Sequence, residues 1–231
     1  MKWRICLLAI GLLIASVASL AVISITHGEG GLPIYVEVDI KPGSWPNPIN
    51  IKSKGVFAVA ICGTDYYDIM QIDPATVRIY IEGIEEGVSP IRWSFEDVAT
   101  PYVGEPGGGH ALGGDGYLDL VFHFETQAAV NELGLAGYTG ETIPLYIKGR
   151  LYSEFGGRSI EGKDYVWVID LPGDVNSDAV VNVIDGVIIC LAWDASPNPS
   201  PNWDPRADII EDNKINILDA VVVASNWGQT P

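Results

Sequence analysis

The sequence predicts a mainly β chain: an antiparallel β-sandwich followed by a small α-helical module that carries two paired loops. Three observations point that way. Short alternating or continuous apolar stretches recur from Ile34 to Ile169, separated by Pro, Gly and Asn clusters, as the strands of a sandwich are. Two near-copies of one twelve-residue Asp/Asn pattern then stand 34 residues apart, at 174–185 and 208–219. Each copy leads into an apolar run of helical spacing that reaches Trp193 or Trp227.

In chain order, residues 1–29 come first as a targeting segment. Lys2 and Arg4 precede an uncharged, largely apolar stretch from Ile5 to Gly28 that contains small residues such as Ala18 and Ser19. Such a segment is a secretory signal peptide, and it is also about long enough to stay as a membrane anchor. Under both readings the rest of the chain is extracellular or at the cell surface, and only the retained anchor brings a membrane with it.

Residues 32–170 form the expected sandwich, of Ig-like type. Ile34–Ile40 alternates, with Ile34, Val36, Val38 and Ile40 on one side, and Val56–Ile61 is a continuous apolar run of buried-strand length. Residues 76–81, 91–95, 117–124, 143–147 and 164–169 continue the strand pattern, with one short helix near 126–133. From Gly104 to Gly116 seven of thirteen residues are Gly, which predicts a flexible surface loop. Leu171-Pro-Gly173 ends the strand pattern and opens the helical module, residues 171–231. Its two repeats are joined by a Pro-rich connector, Ala195–Pro205, that cannot be an interior helix.

The formal net charge is −17. Phosphate binding needs a basic face, so nucleic acid is excluded as a partner. Residues 171–231 hold nine acidic side chains against only Arg206 and Lys214, and such crowding is unfavourable unless cations neutralise it. Cysteine contributes little. Cys6 lies in the targeting segment, Cys62 follows a strand, and Cys190 aligns with Ala224 of the other repeat; the last two are expected to be small core residues. A bridge between them stays open in an oxidising compartment.

Oxygen side chains at alternating loop positions can wrap a hard cation, the EF-hand solution for Ca²⁺. In the first loop Asp174, Asn176, Asp178 and Asp185 supply positions 1, 3, 5 and 12, with the Val180 carbonyl at 7 and Asn182 at 9. Ala179 stands where the sharp turn normally uses Gly, and positive φ there costs an Ala about 1 kcal/mol. In the second loop Asp208, Asp212 and Asp219 remain, with the Lys214 carbonyl at 7 and Asn216 at 9. Asn213 suits the turn, but Ile210 leaves position 3 without a side-chain oxygen. The first loop is expected to bind Ca²⁺ and the second to bind it more weakly.

Residues 172–228 resemble a dockerin: two twelve-residue calcium loops that end in Asp rather than the Glu of ordinary EF-hands, each followed by one helix. The resemblance implies structural Ca²⁺ and a cohesin-like partner domain, met through helix-face residues. On this chain those are Val183, Ile184, Ile217 and Leu218, for which a core role is the competing reading. Residues 35–170 resemble a recurring secreted module of bacteria and archaea through Val38–Ser44, Pro48–Ile51, Ser53–Ile61 and Asp115–Phe124. In that module Asp97, Asp115 and Asp119 would line a small, weaker calcium-loop-like turn. Here the Gly-rich insert separates Glu96-Asp97-Val98 from Gly114-Asp115-Gly116, so coordination would need loop closure.

Dockerins often accompany glycoside hydrolases, whose chemistry needs two carboxylates facing each other across a sugar cleft. Acids such as Asp39, Glu82, Glu96 and Asp119 are no more than a sandwich carries on its surface, and neither a nucleophile motif nor metalloprotease His spacing occurs. The chain therefore reads as no enzyme but a secreted, structural or adhesive protein that docks in a calcium-dependent way. The alternative is a carbohydrate-binding accessory module, or another component of a polysaccharide-degrading complex, that uses Tyr66, Tyr67, Trp45 or Trp93.

Overall fold

A computed structural model describes residues 31–197, 200–210 and 212–230. The expected targeting segment, with Cys6, lies outside the described residues. Among those described, no helix is long and apolar enough to cross a membrane. The described residues are mainly β, with two sheets and three α-helices.

The strands are β1 (Ile34–Tyr35), β2 (Val38–Ile40), β3 (Pro48–Asn50), β4 (Val56–Ile61), β5 (Ile72–Tyr80), β6 (Arg92–Glu96), β7 (Asp119–Glu125), β8 (Thr142–Leu151) and β9 (Ser159–Ile169). A five-stranded sheet runs β1-β9-β8-β5 with β3 also on β9, and a four-stranded sheet runs β2-β4-β7-β6. Period-two alternation brings both sheets into one core. Val59 and Ile61 of β4 and Leu120, Phe122 and Phe124 of β7 meet Val77 and Ile79 of β5, Leu145 and Ile147 of β8, and Val166 and Val168 of β9. Helix α1 (Thr126–Glu132) follows β7 directly, its first turn capped by the Glu125 carboxylate.

Three features differ from expectation. The stretch Ile34–Ile40 is not one strand: β1 pairs parallel with β9, and β2 crosses to pair antiparallel with β4. All four predicted apolar residues still face inward, because alternation is kept while the arm changes sheets. β3 was not predicted, since Pro46 and Pro48 disguise it, and it too runs parallel to β9; the expectation of purely antiparallel pairing is corrected by these two edge strands. Finally, the Gly-rich run is an exposed surface loop over most of its length, as expected, but packs near Gly109. Gly109 lies so close to the Trp45 ring that an added Cβ would stand 2.1 Å from it, and Thr100 Oγ1 donates to the Gly113 carbonyl at 2.6 Å. Absence of side chains here permits close approach.

β9 also begins the second core. Its Val166 and Val168 lie in the core shared by the two sheets, while Trp167 and Ile169, on the opposite face, pack with Leu171, Val175, Val181, Ile189, Ile215 and Val223 of the helical module. Helices α2 (Val183–Leu191) and α3 (Ile217–Ser225) bury Asp185 and Ile189, and Asp219 and Val223, respectively. Cys190, expected in the core, is exposed, and both it and the buried Cys62 are free thiols. It follows Ile189 directly, and one helical step carries it off the buried face.

Candidate metal centre

The two loops share one hydrogen-bond scheme. Asp174 accepts from the amides of Asp178 and Ala179, each at 3.1 Å. Asp208 accepts from Asp212 and Asn213, also at 3.1 Å. Asp178 and Asp212 each accept at 2.9 Å from the amide two residues on, that of Val180 or Lys214. The terminal carboxylates are wholly buried. Asp185 takes the amides of Val175 (2.7 Å), Asn176 (3.2 Å) and Asn182 (2.8 Å). Asp219 takes those of Ile209 (2.8 Å), Ile210 (3.1 Å) and Asn216 (2.9 Å). Each therefore holds its loop closed against the following helix.

Asn182 and Asn216, at position 9, have a further role. Each side-chain oxygen accepts from the helix amide two residues on, Ile184 at 2.7 Å or Leu218 at 2.8 Å, and the Asn backbone N–H donates in return to Asp185 or Asp219, which completes a capping box. Ala179 and Asn213 at position 6 both have positive φ, as the turn requires. At position 8 the repeats interlock. Val181 exchanges backbone bonds with Gly228 and Gln229, which follow the second helix, and Ile215 with Asp194 and Ala195, which follow the first. The duplication is thus a reciprocal, two-fold-like pairing.

A divalent cation suits the donors of the first loop. Asp174, Asn176, Asp178 and Asp185 supply side-chain oxygens and Val180 a carbonyl, a hard-oxygen set of the kind Ca²⁺ takes. Burial pushes the Asp174 carboxyl up to about 6, against the pull of the Ala179 and Asp178 amides and with the charges of Asp185 and Asp178 adding to it. A cation relieves that crowding directly. The second loop has Asp208, Asp212, Asp219 and the Lys214 carbonyl, while Ile210 at position 3 is exposed and offers nothing.

Among the described residues, no three carboxylate, imidazole or thiolate side chains converge on one point. At the expected weaker site, Asp97 accepts from the amides of Asp115 (2.9 Å) and Gly116 (3.0 Å), so the insert is closed at its base. Asp119, however, is buried and gives both oxygens to backbone: Gly63 at 2.9 Å, Val98 at 2.9 Å and Ala99 at 2.8 Å. Through these bonds Asp97 and Asp119 pin the insert to the sheet.

The expected partner contacts lie on outer helix faces. Val183 and Ile184 on α2, and Ile217 and Leu218 on α3, are 51–61% exposed, which removes their competing core reading. Val187 and Leu191, and Val221, extend the same faces. Sequence reasoning missed Lys41, Asn50 and Lys54, which reach the loops from the β domain; their only signal was membership of the stretches 38–44, 48–51 and 53–61.

Residues 172–226 match the family model of the dockerin type I domain. No curated protein and no solved structure matches the chain. Dockerin domains are calcium-binding modules whose partners are cohesin domains. With two interlocked loop–helix repeats and this match, the module that follows Leu171 is a type I dockerin.

Proposed function

We propose that this chain is a non-catalytic extracellular or cell-surface protein, in which Ca²⁺ held by the two EF-hand-type loops supports docking of the dockerin onto a cohesin-like domain. The observation that carries the reading is the pair of exposed apolar faces, Val183/Ile184 and Ile217/Leu218, at the matching tenth and eleventh loop positions where the two helices begin. Exposed apolar patches of this kind mark partner sites. The β domain, read as an Ig-like sandwich, is the displayed part. Secretion rests on the N-terminal segment.

The test is capture of the full chain by an immobilised cohesin domain with Ca²⁺ and with EDTA. Calcium-dependent capture is expected; failure to bind any of a panel of cohesins would overturn the reading.

A second reading, a carbohydrate-binding accessory module of a polysaccharide-degrading complex, is favoured by one feature. Tyr66 is 74% exposed beside Tyr117 in a cleft bounded by residues 63–71 and 116–118, where such rings could stack on sugars. Retardation of the chain in polysaccharide gels would support it.

A further inference from the structure

Three polar side chains of the β domain reach the calcium loops. Lys41, in the turn after β2, donates from Nζ to the carbonyl of Ser177, position 4 of the first loop, at 2.7 Å and to that of Pro48 at 2.8 Å. Asn50, at the end of β3 and 1% exposed, donates from Nδ2 to the Leu171 carbonyl at 2.9 Å, and to the carbonyl and Oδ2 of Asp174 at 3.4 Å each. Its own Oδ1 accepts from the amides of Leu171 (3.3 Å) and Lys52 (3.1 Å). Lys54 donates from Nζ to the carbonyl of Asp208, position 1 of the second loop. One segment of the β domain therefore holds both loops, and β9 supplies side chains to both cores.

Building on the calcium reading above, we propose that Lys41, Asn50 and Lys54 are positioning residues for the calcium loops, so that cation binding by the dockerin and folding of the β domain are one linked equilibrium. Buried and half-buried polar contacts of this kind order the backbone from which a cation's ligands project, as outer-shell partners do at other metal sites. Two effects of the lysines compete. Repulsion between an ammonium and a divalent ion outside its coordination shell, screened by salt, weakens binding by about two- to threefold. Loss of a charge-assisted bond that holds a loop carbonyl weakens it by about tenfold or more. Positioning outweighs repulsion.

Calorimetry on the full chain tests this. In excess Ca²⁺ over EDTA a single unfolding transition is expected, raised by roughly 10 °C at about a thousandfold excess over Kd. The paired variant Lys41→Met/Lys54→Met should split it, leaving a β-domain transition that no longer follows Ca²⁺, and should weaken calcium binding about tenfold by titration. Lys41→Arg/Lys54→Arg, which keeps both charges and donors, should restore the coupling. Two transitions in the unaltered chain, of which only the smaller moves with Ca²⁺, would overturn the coupling while leaving the loops as calcium sites. Absence of any binding heat would instead refute the calcium reading, and the coupling with it.

Discussion

Ala179 and Asn213 hold the sixth position of the two loops in one left-handed conformation, at φ 69° and 63°. Asn tolerates that region and Ala does not. Ala179→Gly is therefore expected to stabilise the chain by about 0.5–1 kcal/mol, the strain relieved being partly offset by greater freedom of the unfolded chain. Asn213→Gly should change little. Urea denaturation of both variants is the check, and equal effects at the two positions would contradict the strain assignment.

Asp185 and Asp219 hold the loops through three amides each. Replacing either by Ala leaves three buried or partly buried N–H groups without this acceptor, at about 1–3 kcal/mol apiece. A loss of at least 3 kcal/mol is expected even in EDTA, where no cation is bound. Were the loss to appear only with Ca²⁺ present, these residues would be ligands and not also structural clamps.

Asp39 in β2 supplies a pH dependence. Burial pushes its carboxyl up to about 7, with the charges of Asp164 and Asp119 adding to the effect. Because the folded pKa is raised, the folded chain holds this proton more tightly than the unfolded chain does. The penalty is absent below about pH 4, grows as pH rises, and is complete above about 7. Asp39→Asn should match the parent near pH 4 and exceed it by about 2–3 kcal/mol at pH 8, after allowance for solvent screening. Denaturation curves at the two pH values give the answer; a difference independent of pH would refute it.

Ile184 and Leu218 are both 51% exposed. Ile184→Asp together with Leu218→Asp should leave stability within about 0.5 kcal/mol, since surface changes cost little and an acid in the first helical turn is favourable. Loss of cohesin affinity by about a hundredfold is expected, as for central apolar contacts. Surface plasmon resonance beside a thermal melt separates the two; unchanged affinity would move the docking face elsewhere.

What local pattern encodes was readable. Val56–Ile61 emerges with the predicted bounds, because a run of apolar β-formers between Gly55 and Gly63 leaves little choice. The helices after both loops follow from their apolar spacing, while their Asn caps emerged only in the structure. Their outward face was not readable. Val183 and Ile184 are as apolar as Ile189, and only the position of the other repeat decides which of them is covered. For the same reason Cys190 was misplaced.

The acids of the insert show the limit from the other side. Asp97 and Asp119 have the residue type and local pattern of cation ligands, and only the folded chain shows that their oxygens accept from the amides of Gly63, Val98, Ala99, Asp115 and Gly116.

By itself the sequence determined the strand-rich stretch, the two paired Asp/Asn loops with their unequal turn residues, and the dockerin character of residues 172–226, because each is written in residues close together along the chain. Tertiary structure decided that β1 and β3 run parallel to β9, that position 8 of each loop pairs with the other repeat, and that Lys41, Asn50 and Lys54 hold the loops. Lys41 and Ser177 are 136 residues apart. Contacts over such separations depend on how the two cores meet along β9, and no local spacing carries that information.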